Sequence, residues 1–255
     1  MNRTPPQTIR RELRAEVGFG CPIEGCANPY LEWHHFDPPW HVREHHDPQG
    51  MIALCAEHHK KADAGAFTAD QLKIYKNGAR RGAVQGRFDW MRNKLLAAVG
   101  SGFYYETFTI LRYREIDIIW FRRDADGNLL LNVRMTAITG APGLLIEDND
   151  WIAHGALEDL ECPPSGRLLR ANYPSGDYLK IEFSTLDSPA DLAQRFPHRN
   201  TNHWCGRVPF PITLVEVYAT VAGTNIQLTP HSTRIGNVTI GSAFVAHCGV
   251  AFVVR

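Results

Sequence analysis

Apolar residues recur at helical spacing near the start of the chain: Ile9, Leu13 and Val17 stand four apart and share one face. Thr4 and Pro5 supply a cap and first turn, and Arg10, Arg11 and Arg14 ride on the same segment. Tyr30-Leu31-Glu32-Trp33 reads as a short strand, and Met51-Ile52-Ala53-Leu54 gives way to a helix-like segment. Thr68 looks like the cap of a helix over residues 69–76. A further helix is predicted over residues 87–99, with Phe88, Met91, Leu95 and Leu96 on one side, and Gly100-Ser101-Gly102 then marks a boundary.

Beyond that boundary the period shortens. Tyr105, Phe108, Ile110, Ile116, Ile118 and Trp120 alternate with polar residues, Asp124-Ala125-Asp126-Gly127 makes a turn, and residues 129–135 return as a strand. Similar runs follow at 167–171, 178–183, 214–221, 225–228, 237–240 and 243–254, punctuated by Gly, Pro, Asn and Asp. The pattern predicts an α+β chain in two parts. Residues 1–100 form a small domain with flanking helices; residues 101–255 form an all-β domain, sandwich-like, with a β-solenoid as the alternative. Aromatic residues of the second part read as core. His203-Trp204-Cys205 and His247-Cys248 do not make a ligand set, so this part announces no chemistry.

Composition narrows the class. The 255 residues are 44% hydrophobic and 21% charged, as in an ordinary globular protein. No stretch of eighteen apolar residues predicts a membrane span, and the first residues lack an apolar signal core, so a cytoplasmic location is expected. Six cysteines, three of them in the ligand pattern below, fit a reducing compartment. Formal net charge is zero, which argues against a nucleic-acid-coating protein, but the charge is uneven. Residues 60–94 hold nine basic and three acidic side chains, among them Lys60, Lys61, Lys73, Lys76, Arg80, Arg81, Arg87, Arg92 and Lys94. A basic face of this kind would meet a phosphate backbone, with Lys60, Lys61, Lys73, Arg80 and Arg81 the expected DNA contacts.

The chemistry is concentrated in residues 21–63. Cys21-Pro22-Ile23-Glu24-Gly25-Cys26 and Cys55-Ala56-Glu57-His58 are two short-spaced pairs of soft donors. Cys21, Cys26, Cys55 and His58 together suit a tetrahedral zinc; buried or disulfide-bonded cysteines are the plainer alternative. Between the pairs lies His34-His35, at the end of the short strand. His59 follows His58 directly and Asp63 falls one helical turn later, so one strand and one helix can aim His34, His59 and Asp63 at a single point with His35 beside it. His41, His45 and His46 lie in a Pro-bounded loop and read as solvated.

In this order the residues resemble the zinc-stapled branch of the HNH endonuclease family, whose pattern runs C-x-x-x-G-C, H-H, Asn, then L-C-x-x-H-H-x-x-x-H. The resemblance covers residues 21–63 alone. It implies a ββα-metal unit, a structural zinc on Cys21, Cys26, Cys55 and His58, and His34 and His59 as ligands of a catalytic divalent ion. It also implies His35 as general base. Two positions depart from the pattern. Asp63 stands where the last His is expected, a carboxylate that suits Mg²⁺ or Mn²⁺. Gly50 stands where the Asn is expected, a residue thought to brace the loop. The implied activity is metal-dependent hydrolysis of DNA, with the β-rich part as a targeting or regulatory domain, as in restriction or anti-phage defence. The alternative is a zinc-stabilised module that binds DNA or protein without cutting.

Overall fold

The computed structural model describes residues 2–78, 82–135, 138–140 and 143–254. Helix α1 (Gln7–Glu16) starts after Pro6, and Leu13 and Arg14 are buried on it. Strands β1 (Leu31–His35) and β2 (Met51–Cys55) pair antiparallel, with Leu31 opposite Cys55 and His35 opposite Met51. The loop between them closes through a 3-10 turn at Pro48–Gly50. Helix α2 (Ala56–Asp63) leaves β2 without a linker and packs on both strands. Helix α3 (Ala69–Asn77) follows, its start fixed by reciprocal bonds between Thr68 and Gln71. Leu13, Val17, Leu31, Leu72 and all of β2 form the small core of this part.

The rest of the chain is two β-sheets. The first runs, in spatial order, β19 (Val250–Val254), β6 (Thr109–Tyr113), β7 (Ile116–Arg123), β8 (Leu129–Val133), β9 (Leu144–Glu147), β10 (Asp150–Ala153) and β3 (Val84–Arg87). The second runs β11 (Asp159–Glu161), β12 (Leu168–Asn172), β13 (Tyr178–Leu186), β14 (Ile212–Val221), β15 (Ile226–Leu228), β16 (Thr233–Ile235) and β17 (Val238–Ile240). Three more strands extend it: β4 (Leu95–Val99) lies parallel to β14, β5 (Gly102–Tyr105) pairs with β4, and β18 (Ala243–Ala246) lies parallel to β5. Residues of both sheets, Ile118, Leu131, Ile146 and Trp151 with Ile181, Phe183, Val215 and Val217, make one buried cluster. Strands β11 to β17 succeed one another antiparallel, so this region does not coil as a solenoid. Helix α4 (Pro189–Arg195) and the segment after it bury Leu192, Phe196 and Trp204 against the outer face of β4, β5 and β14.

Two expectations are corrected here. Residues 87–99 are not a helix: they contain the end of β3, a connection and β4. Leu95, Ala97 and Val99 face the inter-sheet cluster while Leu96 and Ala98 face the α4 side, so every position of β4 is buried. A short, wholly apolar run reads alike as buried strand or buried helix, and packing on both faces decides for the strand. The glycines at 100 and 102 are likewise no linker between parts 1–100 and 101–255. They belong to the tight connection between β4 and β5; Gly100 has φ +57° and a Cβ there would lie 2.2 Å from Thr233 Oγ1. The β-rich part therefore begins at Val84.

The two parts are tied by buried contacts. Arg14 on α1 reaches Asp159 on β11 with paired bonds, Nε to Oδ1 at 2.9 Å and Nη2 to Oδ2 at 2.7 Å, and both side chains are almost fully buried. The backbone N–H of Leu31 donates to the carbonyl of Cys162 at 3.3 Å. Replacing Arg14 by alanine leaves a buried carboxylate without its partner. The expected loss is ~3–5 kcal/mol, read by chemical denaturation. Arg11→Ala, at the exposed pair with Glu158, should cost at most about 1 kcal/mol. Equal effects would show that the Arg14 pair is no clamp. Among the described residues no helix is long and apolar enough to cross a membrane.

Candidate metal centres

The first cluster is built from two local motifs. Cys21 and Cys26 sit on a knuckle in which the Cys26 N–H donates to the Ile23 carbonyl and the Ala27 N–H to the Cys21 carbonyl. Cys55 ends β2 and caps α2, whose first turn carries His58. The four donor atoms converge: Cys21 Sγ lies 3.5 Å from His58 Nδ1, Cys55 Sγ 3.2 Å from the same nitrogen, and Cys26 Sγ 3.7 Å from Cys55 Sγ. A tetrahedral zinc with bonds of about 2.3 Å to sulfur and about 2.0 Å to nitrogen spaces its ligands about 3.5–3.8 Å apart. The cluster has that size and can hold a metal ion, compatible with structural zinc. All three sulfurs are free thiols, so no disulfide competes for them. Burial pushes the Cys21 thiol up to about 12, with the charges of Cys55 and Cys26 adding to it, and burial raises Cys55 as well, with Cys26 adding to that. A divalent cation among them reverses that preference, because the thiolate is the ligand form.

The second cluster lies on the same hairpin and helix. His34 Nδ1 is 3.2 Å from Asp63 Oδ1, and His59 Nδ1 is 3.7 Å from Asp63 Oδ2. The two imidazoles stand edge-on, 5.3 Å apart at 85°. His34, His59 and Asp63 can hold an ion as a mixed nitrogen and oxygen set. His34 Nδ1 and His59 Nε2 are buried without hydrogen-bond partners. Burial lowers the pKa of His34, with the charge of His59 adding to it and Asp63 opposing, which favours the neutral ligand form.

Sequence reasoning missed Glu32. It is two residues before His34, on the same face of β1, and its Oε2 lies 3.2 Å from His59 Nδ1. The alternation of a strand would have placed it there. Arg3 was missed as well: Nη2 stands 3.9 Å from Asp63 Oδ1, and no periodicity near the terminus signals it.

His35 points to the other face of β1 from His34 and does not join the three ligand candidates. Its Nε2 lies 3.0 Å from the His45 carbonyl, and Nδ1 is buried without a partner. Burial, then the charge of His45, lowers its pKa to about 4, so the ring is neutral at pH 7. His34, His35, Asp63, Arg3 and Trp40 nonetheless line one open cavity of about 290 Å³. The loop histidines are only partly as expected. His41 is exposed, but His45 is 7% exposed and His46 stacks on Trp40 at 27°.

The expected basic face is less uniform than its charge count. Lys60 and Lys61 are exposed on α2, Lys61 paired with Glu57, and Lys73 is paired with Asp37. Lys76 is buried, binding the Met51 carbonyl and Glu16. Arg80 and Arg81 lie outside the described residues. No family model, curated protein or solved structure matches the chain.

Proposed function

We propose that this protein is a metal-dependent DNA endonuclease of the HNH type, with zinc as a structural staple and Mg²⁺ or Mn²⁺ as the catalytic ion. The observation that carries the reading is the second cluster: a staple needs Cys21, Cys26, Cys55 and His58, but has no use for His34, His59 and Asp63 converging on one face of the hairpin, with a neutral His35 on the other face of β1 lining the same cavity as His34 and Asp63. The hairpin with α2 packed against it is the arrangement a ββα-metal unit requires.

A divalent ion held by His34, His59 and Asp63 would neutralise charge on the scissile phosphate and its leaving oxygen. His35 takes the proton of the attacking water at Nδ1, the nitrogen left free by the bond to the His45 carbonyl. Arg3, on the rim of the same cavity, offers a guanidinium to a phosphate oxygen. Lys60, Lys61 and Lys73 would add backbone contacts that do not read base edges. The β-rich part would select the target or regulate access to it.

The test is incubation of the zinc-loaded protein with plasmid DNA across Mg²⁺, Mn²⁺, Ni²⁺ and Zn²⁺. Cleavage in none of them, with DNA still bound, would replace the nuclease by the non-cutting module. His59→Ala and Asp63→Ala should each weaken Mn²⁺ binding by more than about tenfold, ~1.4 kcal/mol, as read by calorimetry, with zinc content unchanged. Unaltered Mn²⁺ affinity in both would remove the proposed ion site.

A further inference from the structure

We infer that His45 is a positioning residue for the nuclease reaction: its imidazole ties the loop between β1 and β2 so that its carbonyl holds His35 with Nδ1 free as acceptor. This rests on the nuclease reading above.

A long loop between two short strands has few ladder bonds to fix it, and the His45 side chain supplies two from one buried ring. The backbone N–H of Asp47 donates to Nδ1 at 3.1 Å, which places the proton on Nε2, and Nε2 donates to the Pro38 carbonyl at 2.9 Å. One ring thus joins the outgoing arm of the loop to the returning arm and fixes its own tautomer. The carbonyl of the same residue lies 3.0 Å from His35 Nε2. A carbonyl only accepts, so His35 carries its proton on Nε2 and keeps the lone pair on Nδ1. The two rings meet edge-on at 5.2 Å and 89°, which limits rotation of His35 about its own axis.

Gly50 explains why the bracing comes from this side of the loop. Its carbonyl accepts from the N–H groups of Phe36 and Asp37, at 2.9 and 3.2 Å. A Cβ at position 50 would lie 1.9 Å from the Asp37 carbonyl oxygen and 2.9 Å from His45 Cε1. The backbone is drawn so close that the asparagine of the resembled pattern has no room. The Asp37 carbonyl fills that space with the edge of the His45 ring beside it, and His45 makes the cross-loop bonds instead.

The experiment compares His45→Phe, which keeps a ring but removes both bonds, with His45→Gln, whose amide can still donate to the Pro38 carbonyl. Zinc content, the tautomer of His35 by nitrogen-15 NMR, and single-turnover cleavage at saturating DNA and Mg²⁺ are measured on the full chain. In the Phe variant zinc content and Mg²⁺ half-saturation should hold while the rate falls about 10²-fold or more. His35 should then change from one tautomer to a mixture. The Gln variant should recover the single tautomer and most of the rate. A single Nε2–H tautomer retained in the Phe variant overturns the inference, as does an unchanged rate. Loss of zinc in both variants also overturns it, making His45 a folding residue. Should the wild-type chain cut no DNA, the nuclease reading fails, and the tautomer comparison alone decides whether His45 positions His35.

Discussion

Cys55→Ser, or removal of zinc by a chelator, is expected to unfold the hairpin and α2 while the two large sheets persist. The reasons lie in how little else holds this part together. A two-stranded hairpin is marginal alone, and helices of eight and nine residues fall below the length that is stable in water. The core beneath them is one fully buried strand with a few aliphatic partners. Against this, a structural zinc contributes apparent binding energies of ~10–16 kcal/mol in small zinc units. Cys55 is the worst position to lose because it belongs to the four-residue cluster that could hold the metal and is also the junction of β2 with α2. Metal analysis should fall from about one zinc per chain to none. Hydrogen exchange should accelerate across residues 31–63 but not across β12 to β14. Helix α1 should resist longest, since Arg14 remains bound to Asp159. Metal-free protein with native exchange protection over β1 and β2 would rule the staple out.

His35→Ala is expected to lower the cleavage rate by about 10²–10⁴, the usual contribution of a positioned general base. That factor corresponds to about 2.7–5.5 kcal/mol of barrier. His35 stands on the opposite side of β1 from His34, so zinc content and Mn²⁺ affinity should stay as they are. The side chain is 3% exposed and packs on Trp40 at 4.7 Å, so some stability will also be lost. Rates must therefore be compared per zinc-loaded, folded molecule. His46→Ala is the internal control: its ring stacks on Trp40 and stands 6.0 Å from the His35 ring, and its removal should cost far less. A dead His46 variant beside an active His35 variant would move the base to His46 and sink the assignment.

The parts of the site that were legible are those written in short-range spacing. Cys21 with Cys26, and Cys55 with His58, sit within one turn of each other, and His59 and Asp63 share a face by helical geometry alone. Each pair converges before tertiary packing is considered. His45 could not be read this way. Its burial depends on Pro38, Asp47 and Gly50, and nothing in the local pattern distinguishes it from exposed His41. Lys76 misled for the same reason: it was counted with the basic residues, yet the Met51 carbonyl and Glu16 draw it inward. The strand at 95–99 needed both the inter-sheet cluster and α4 to become distinguishable from a helix. Gly100 carried a real signal, a positive φ, but a hairpin turn and a linker ask for glycine equally.

The placement of β4 constrains the order in which this chain can assemble. Leu95 pairs with Thr213, Val99 with Val217, and the last strands, β18 and β19, lie against β5 and β6. During synthesis β4 can pair with β5 at once, but β14, its partner on the other edge, emerges long afterwards. Closing so wide a loop is entropically slow, and the open apolar edge of β4 is a site of aggregation meanwhile. The segment with the first cluster faces no such delay, since all four residues that could hold a metal ion there are made within residues 21–58. On the ribosome, a metal taken up by those four residues would let the hairpin and α2 fold while the sheets behind them still wait for β14, β18 and β19.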